Sequence, residues 1–362
     1  MASAENNNSE TKTIRYLLSV DGGGVRGRIA ASFLCNLERK LGKPLFEVFD
    51  GFAGTSAGAM IVGQLASGMR AQNICDEVFS HDTLESIFDR TWTSYVPLFG
   101  KLSQKYNGEK KRDTIDRFLD PSTRLRDLDK KILVPTFNWT RRTPVLFHNF
   151  SSEGMPVARL NDVLDASSAA PYYFPPLPIY LSHPRFDIPS PLDDDDKGAE
   201  GQGYYDHLPR MSVPQSGDWY SDGGVSTNTP CITLYALARR EWPDDDIRIL
   251  SVGTGFEMVG EVDVGERGPR WGALDLLRGG VFGSLLSAPN QVNSLDSQLL
   301  MGGKHYLRVD GQLPDDVPAD LDHLSIEHCR NLKNLGSAWY DTYEWKINQL
   351  FGEYFTITSS FK

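Results

Sequence analysis

The chain has 362 residues, 40% hydrophobic and 23% charged, with a formal net charge of −11 at pH 7. That is apolar material enough for one large domain or two ordinary ones. The acidic balance argues against a nucleic acid polymer as partner, and no run of about 18 apolar residues is present to span a bilayer.

The opening MASAENNNSETKT lacks the basic and then apolar layout of a secretion signal, so a cytoplasmic location is expected. Residues 1–12 are polar and Asn-rich and read as a disordered tail. The apolar run Ile14 to Val20 ends at Asp21-Gly22-Gly23-Gly24, the pattern of a buried strand entering a tight turn. A helix follows from Arg28 to Leu41, with Ile29, Phe33, Leu34, Leu37 and Leu41 on one side. A second unit of the same kind comes next: an apolar segment from Val48 to Gly54, a turn at Thr55-Ser56-Ala57-Gly58, and a helix from Ala59 to Ala66. Further strands are predicted at Lys131–Phe137, Pro144–Asn149, Trp219–Ser221, Ile247–Val252 and His305–Val309. Strands alternating with helices predict an α/β/α layered fold with a mostly parallel central sheet.

One composition break runs from about Ser182 to Asp218, rich in Pro, Gly and Ser and containing Asp193-Asp194-Asp195-Asp196. It reads as a surface insertion, since the aspartates lack the glycine and terminal glutamate of a calcium loop. Cys35, Cys75, Cys231 and Cys329 lie far apart without CxxC spacing, so free thiols are expected, with neither a zinc site nor a disulfide framework.

Three motifs carry chemistry. Gly54-Thr55-Ser56-Ala57-Gly58 fits G-x-S-x-G, in which a serine on a sharp strand-to-helix turn projects its hydroxyl outward and flanking glycines relieve the crowding. The bland reading of the same pentapeptide is a small-residue turn that lets helix and sheet pack closely. Asp21 to Gly27 places successive backbone N–H groups between strand and helix, where they can form a concave anion site. Gly22 to Gly27 also matches GxGxxG, with Glu47 or Asp50 near the position of a ribose-binding acid, so a dinucleotide-binding oxidoreductase competes. It leaves G-x-S-x-G unexplained. Asp222-Gly223-Gly224 puts a carboxylate at a strand end, either as a plain turn or as a base within reach of the serine.

Taken together and in this order, the motifs resemble those of the patatin-like phospholipases: a DGGGxRG loop, a GxSxG elbow and a later DG[AG]. Flanking stretches are similar too, namely Ser167-Ser168-Ala169-Ala170-Pro171-Tyr172-Tyr173-Phe174-Pro175-Pro176, Asn228-Thr229-Pro230 and Leu250-Ser251-Val252-Gly253-Thr254-Gly255. The resemblance covers roughly residues 14 to 310. It implies a catalytic domain over 13–310 carrying the insertion at 182–218, with residues 311–362 as a C-terminal helical extension. It also implies hydrolysis of fatty acyl esters by a Ser-Asp dyad without histidine, metal or cofactor. Ser56 would be the nucleophile and Asp222 the base. Gly22, Gly23 and Gly24 would form the oxyanion loop with Arg26 as a supporting cation, and Gly54, Gly58 and Gly223 would shape the elbow and turn. Membrane phospholipids would be the substrate, met by transient peripheral contact for which Trp92–Phe99 and Leu274–Leu286 are candidate apolar features. Some bacterial patatin-like proteins attack their own cell's membranes when a small nucleotide binds, so such an activator is carried as an expectation.

Two alternatives stay open. One is a noncatalytic lipid or ligand-binding module. The other is a Ser-His-Asp triad, for which His305, His323 and His328 follow Asp222 in the chain.

Overall fold

In the computed structural model, residues 12–89, 104–151, 155–180, 217–257 and 281–352 are described, with backbone alone for 281–288. Ile14–Val20 forms strand β1, flanked on both sides by parallel neighbours. Its continuous apolar sequence follows from that position, because a central parallel strand is covered on both faces. Leu18 and Val20 join one hydrophobic cluster and Leu17 the other, as the two-residue period of a strand requires.

One sheet of eight strands results, with β2 (Gly51–Gly54), β3 (Lys131–Asn138), β4 (Thr143–His148), β5 (Leu177–Ile179), β6 (Asp218–Asp222), β7 (Asp246–Val252) and β8 (Tyr306–Val309). The order is β5-β6-β3-β2-β1-β7-β8, with β4 paired to β3. From β3 to β8 the sheet is parallel, whereas β4, β5 and β6 run antiparallel on one side. Val20 pairs with Gly54 and Val252, and Val252 with Val309, so the carboxyl ends of four strands share one edge.

Helices cover both faces: α1 (Gly27–Leu41), α2 (Ala57–Ala66), α3 (Glu109–Phe118) and α4 (Leu160–Ser167), then α5 (Cys231–Glu241), α6 (Val281–Met301) and α7 (Ile326–Leu350). The larger core packs Phe33, Phe52, Ile61, Leu164 and Leu332 on one face, and the smaller packs Leu17, Leu234, Ile249 and Met301 on the other. The fold is a layered α/β/α arrangement. α7 lies against α1 so closely that a Cβ on Gly336 would collide with the Ile29 carbonyl, and Ser32 Oγ donates to the Lys333 carbonyl at 2.7 Å.

The sequence reading departs from the structure in three places. Residues Leu45–Val48 form a helical turn after Pro44, which shortens the second strand to Gly51–Gly54. β5 is not among the predicted strands; it lies in a proline-rich stretch, and Pro178 is tolerated because β5 is an edge strand. Asp218, placed by sequence in the insertion, opens β6, where Asn138 and Arg141 bind its buried carboxylate at 2.9 and 2.8 Å. The N-terminal tail through residue 11, the insertion from 182 to 216 with its aspartate run, and Trp92–Phe99 lie outside the described residues, as do the side chains of Leu274–Leu286. No helix among the described residues is long and apolar enough to cross a membrane.

Candidate active site

β2 ends where the sheet edge gathers the carboxyl ends of its neighbours, and the chain turns there into α2. Ser56 occupies the turn with φ 56° and ψ −124°. A non-glycine residue in that region carries strain on the order of 1–3 kcal/mol, which persists only where the surroundings enforce it. They do so here: the Ser56 N–H donates to Ser167 Oγ at 3.2 Å, and Thr55 Oγ1 donates to the Thr227 carbonyl at 2.8 Å. Gly54 and Gly58 are required by contact, because a Cβ on Gly54 would strike the Gly58 carbonyl and one on Gly58 the carbonyl of Val20. The turn sets Ser56 at the positive end of the ten-residue helix α2.

Asp222 closes β6. Its register opposite Thr136 and the bond from its N–H to the Ala169 carbonyl, 3.0 Å, set the carboxylate near enough to Ser56 for the serine side chain to favour its charged form. The Gly224 N–H donates to Asp222 Oδ1 at 2.7 Å, and a Cβ on Gly223 would collide with the Pro135 carbonyl. Burial pushes the Asp222 carboxyl up to about 6, against the opposing pull of Ser56, the Gly224 amide and the Lys111 charge. A carboxylate with raised proton affinity beside a serine hydroxyl can accept that proton.

The glycine loop follows β1. The Gly22 N–H donates to the Asn228 carbonyl at 3.4 Å, and its own carbonyl accepts from Thr254 Oγ1 at 2.8 Å and Asn228 Nδ2 at 3.3 Å. Arg26 N–H donates to the Gly23 carbonyl at 3.1 Å and Val25 N–H to Leu321 at 2.9 Å. The amides of Gly23 and Gly24 donate to no group among the described residues. Arg26 turns its guanidinium to the Gly255 carbonyl at 3.0 Å, and burial lowers its proton affinity. Asp21 is buried and bound by Arg308 at 2.6 Å and Thr229 at 2.9 Å, so it anchors the loop.

Ser56 and Gly24 open into a narrow apolar pocket with a free volume of about 50 Å³, walled by Met60, Phe79, Phe88, Tyr173, Phe174 and Leu321. Lys111 reaches the same pocket and is buried. Its ammonium pairs with Asp165 at 2.9 Å, donates to Ser168 Oγ at 3.1 Å and lies 4.8 Å from the Phe174 ring centroid. An apolar slot beginning at a serine suits an acyl chain.

Residues 18–235 match the family model described as patatin-like phospholipase. The chain belongs to the patatin-like phospholipase family. Among its relatives, Patatin-like protein 4 of Arabidopsis thaliana is 25% identical, over 92% of this chain and 84% of that protein. The cGAMP-activated phospholipase of Pseudomonas aeruginosa is 27% identical, over 89% of this chain and 86% of that one. Among solved structures, VipD from Legionella pneumophila aligns with a TM-score of 0.40 at 14% identity, covering 91% of this chain and 67% of VipD.

In this patatin-like chain, among the described residues, no hydrogen bond or ion pair joins a candidate triad histidine to Ser56 or Asp222. His305 pairs with Asp246 at 3.1 Å at the start of β7, the opposite edge of the sheet from Ser56. His323 and His328 meet edge to face, 4.7 Å between centroids, where α7 begins. No imidazole is among the groups that set the proton affinity of Asp222. The dinucleotide alternative loses its acid: Asp50 ion-pairs with Arg15 at 3.2 Å, and its N–H bonds to Tyr16 at the far end of β1 from the loop. All four cysteines are free and buried. Ser167 and Lys111 received no role from sequence. Ser167 lies in a motif-like stretch whose contact to Ser56 is purely tertiary, and Lys111 lies in the run Glu109-Lys110-Lys111-Arg112, indistinguishable there from a solvated helix face.

Proposed function

We propose that this chain is a lipid acyl hydrolase of the phospholipase A type, working through a Ser56–Asp222 dyad and an acyl-enzyme. The observation that carries the reading is the strained Ser56, beside a buried carboxylate of raised proton affinity at the head of an apolar slot. Asp222 accepts the Ser56 proton as the hydroxyl oxygen attacks the ester carbonyl. The resulting oxyanion is stabilised by the Gly23 and Gly24 amides, aided by the N-terminus of α2. Collapse expels the lysophospholipid alkoxide, which takes the proton from Asp222 and leaves the acyl group on Ser56. Water then gives its proton to Asp222 as it attacks the acyl-enzyme, and collapse breaks the bond to Ser56, whose oxygen takes that proton back as the fatty acid leaves.

Membrane phospholipid would be met by peripheral contact, and Tyr172, 61% exposed beside the pocket-lining Tyr173, is an aromatic side chain placed for it. Relatives named as cGAMP-activated phospholipases make a cyclic dinucleotide the first activator to try. Purified protein incubated with labelled phospholipid vesicles, with and without cGAMP, should release fatty acid. Release that is absent under both conditions, or unaffected by Ser56→Ala, would reject the assignment.

A further inference from the structure

The family match ends at residue 235, yet the glycine loop is bonded to a segment far beyond it. Val25 N–H donates to the Leu321 carbonyl, and Gly24, at φ 56°, lies so close that a Cβ there would strike the same oxygen. The other bonds to the loop hold Asp21, Gly22 or the Arg26 guanidinium or run within the loop itself, so among the described residues Leu321 is the one outside group hydrogen-bonded to the backbone of Gly24 and Val25. Leu321 is in neither helix nor strand, and its place must come from what its neighbours grip. The neighbour is Asp322. Its carboxylate, 9% exposed, ion-pairs with Lys105 and accepts from Tyr106 Oη at 2.5 Å. Lys105 and Tyr106 donate their N–H groups to the carbonyls of Tyr172 and Tyr173, at 3.0 and 2.8 Å. Tyr173 and Leu321 both wall the pocket at Ser56. One carboxylate therefore ties the wall of the acyl slot to the loop that presents the free amides.

We propose that Asp322 is a positioning residue for the reaction at Ser56: gripped by Lys105 and Tyr106, it fixes the Leu321 carbonyl and, through Val25 and Gly24, the direction in which the Gly23 and Gly24 amides point. It touches no reacting atom. The inference rests on the dyad reading above and adds that the C-terminal segment completes the oxyanion site.

The test uses the full chain, a water-soluble ester small enough to make little use of the slot, and a fluorophosphonate probe of the serine. Asp322→Ala should lower kcat by about tenfold to a hundredfold, the scale of a misplacement near 1 Å, and slow probe labelling in parallel. KM should stay within about twofold, since the loss falls on the transition state and not on ground-state binding. Asp322→Asn, which keeps an acceptor for Tyr106 but loses the ion pair, should fall between. Should Asp322→Ala not fold, Tyr106→Phe and Lys105→Met replace it, each expected to reduce kcat with KM unchanged. A folded Asp322→Ala with wild-type kcat and labelling, or one whose defect lies in KM, overturns the proposal. Those results leave the dyad standing, whereas wild-type protein that the probe does not label at Ser56 sinks the dyad itself.

Discussion

Two aspartates in this molecule have nearly the same local sequence and opposite surroundings. Asp21 directly follows β1 and precedes three glycines, Asp222 closes β6 and precedes two, and each is 4% exposed. Asp21 receives a guanidinium: Arg308 binds it and Asp310 at 2.6 Å each, and although burial works against the Arg308 charge, the two carboxylates hold it well above its ordinary proton affinity. Burial raises the proton affinity of both carboxyls; at Asp21 the Arg308 guanidinium and the Thr229 hydroxyl pull against it, whereas Asp222 has no cation in contact among the described residues, faces the Ser56 side chain and one amide, and rises to about 6. The ion pair suits Asp21 to an anchoring part, and the absence of one leaves Asp222 for the part of base that we propose.

The comparison is broken most severely at the nucleophile that only Asp222 faces. Ser56→Ala should lower ester hydrolysis by roughly three to six orders of magnitude with the fold retained, as steady-state rates and a thermal melt would show. Replacing the aspartates separates their roles. Asp222→Asn keeps the shape but cannot take the serine proton, and turnover should fall by about a hundredfold to ten-thousandfold. Stability should move the other way. Because the folded pKa of Asp222 is raised, its ionised form penalises folding fully above pH 6, and the penalty is relieved as pH falls through 6 towards 4. Asp222→Asn should therefore melt higher than wild type at pH 8, by up to about 3 kcal/mol, with the difference closing by pH 4. Asp21→Asn should instead destabilise by about 3–5 kcal/mol at neutral pH, since it leaves Arg308 short of a buried partner, and denaturant titration of the two variants would show the opposite signs.

Gly23→Ala tests the loop that Asp21 anchors. A Cβ there would meet the Thr254 side chain, and turning one amide away should cost about 2–4 kcal/mol in the barrier, read as kcat on a soluble ester. The smallest effects are expected at His305, His323 and His328, whose alanine variants should each keep most of wild-type kcat because none shapes the proton affinity of Asp222.

Much of this contrast was legible in sequence. The alternation of strand and helix, the order of the three glycine motifs and the placement of Ser56 and Asp222 at strand ends depend on local patterns, and β1 has the bounds that its apolar run predicts. What could not be read is who meets whom across the chain. Arg308 and Thr229 lie 287 and 208 residues from Asp21, so nothing local distinguishes that aspartate from Asp222. Ser167, 111 residues from Ser56, looks like any small residue at a helix end until the elbow is folded against it. β5 is short and proline-rich, so it carries little strand signal, and only an edge position makes its proline compatible with a strand.

The central claim, that Asp222 is the base for Ser56, is tested most directly by the rate of fluorophosphonate labelling as a function of pH, followed by intact mass. The wild type should gain one adduct, on the peptide containing Ser56, at a rate that rises with pH through a midpoint near 6 and then levels as Asp222 ionises. Asp222→Asn should label at least about a hundredfold more slowly, without that midpoint. Labelling of Asp222→Asn at the wild-type rate with the same pH midpoint would show that another group takes the proton, and the dyad would be wrong.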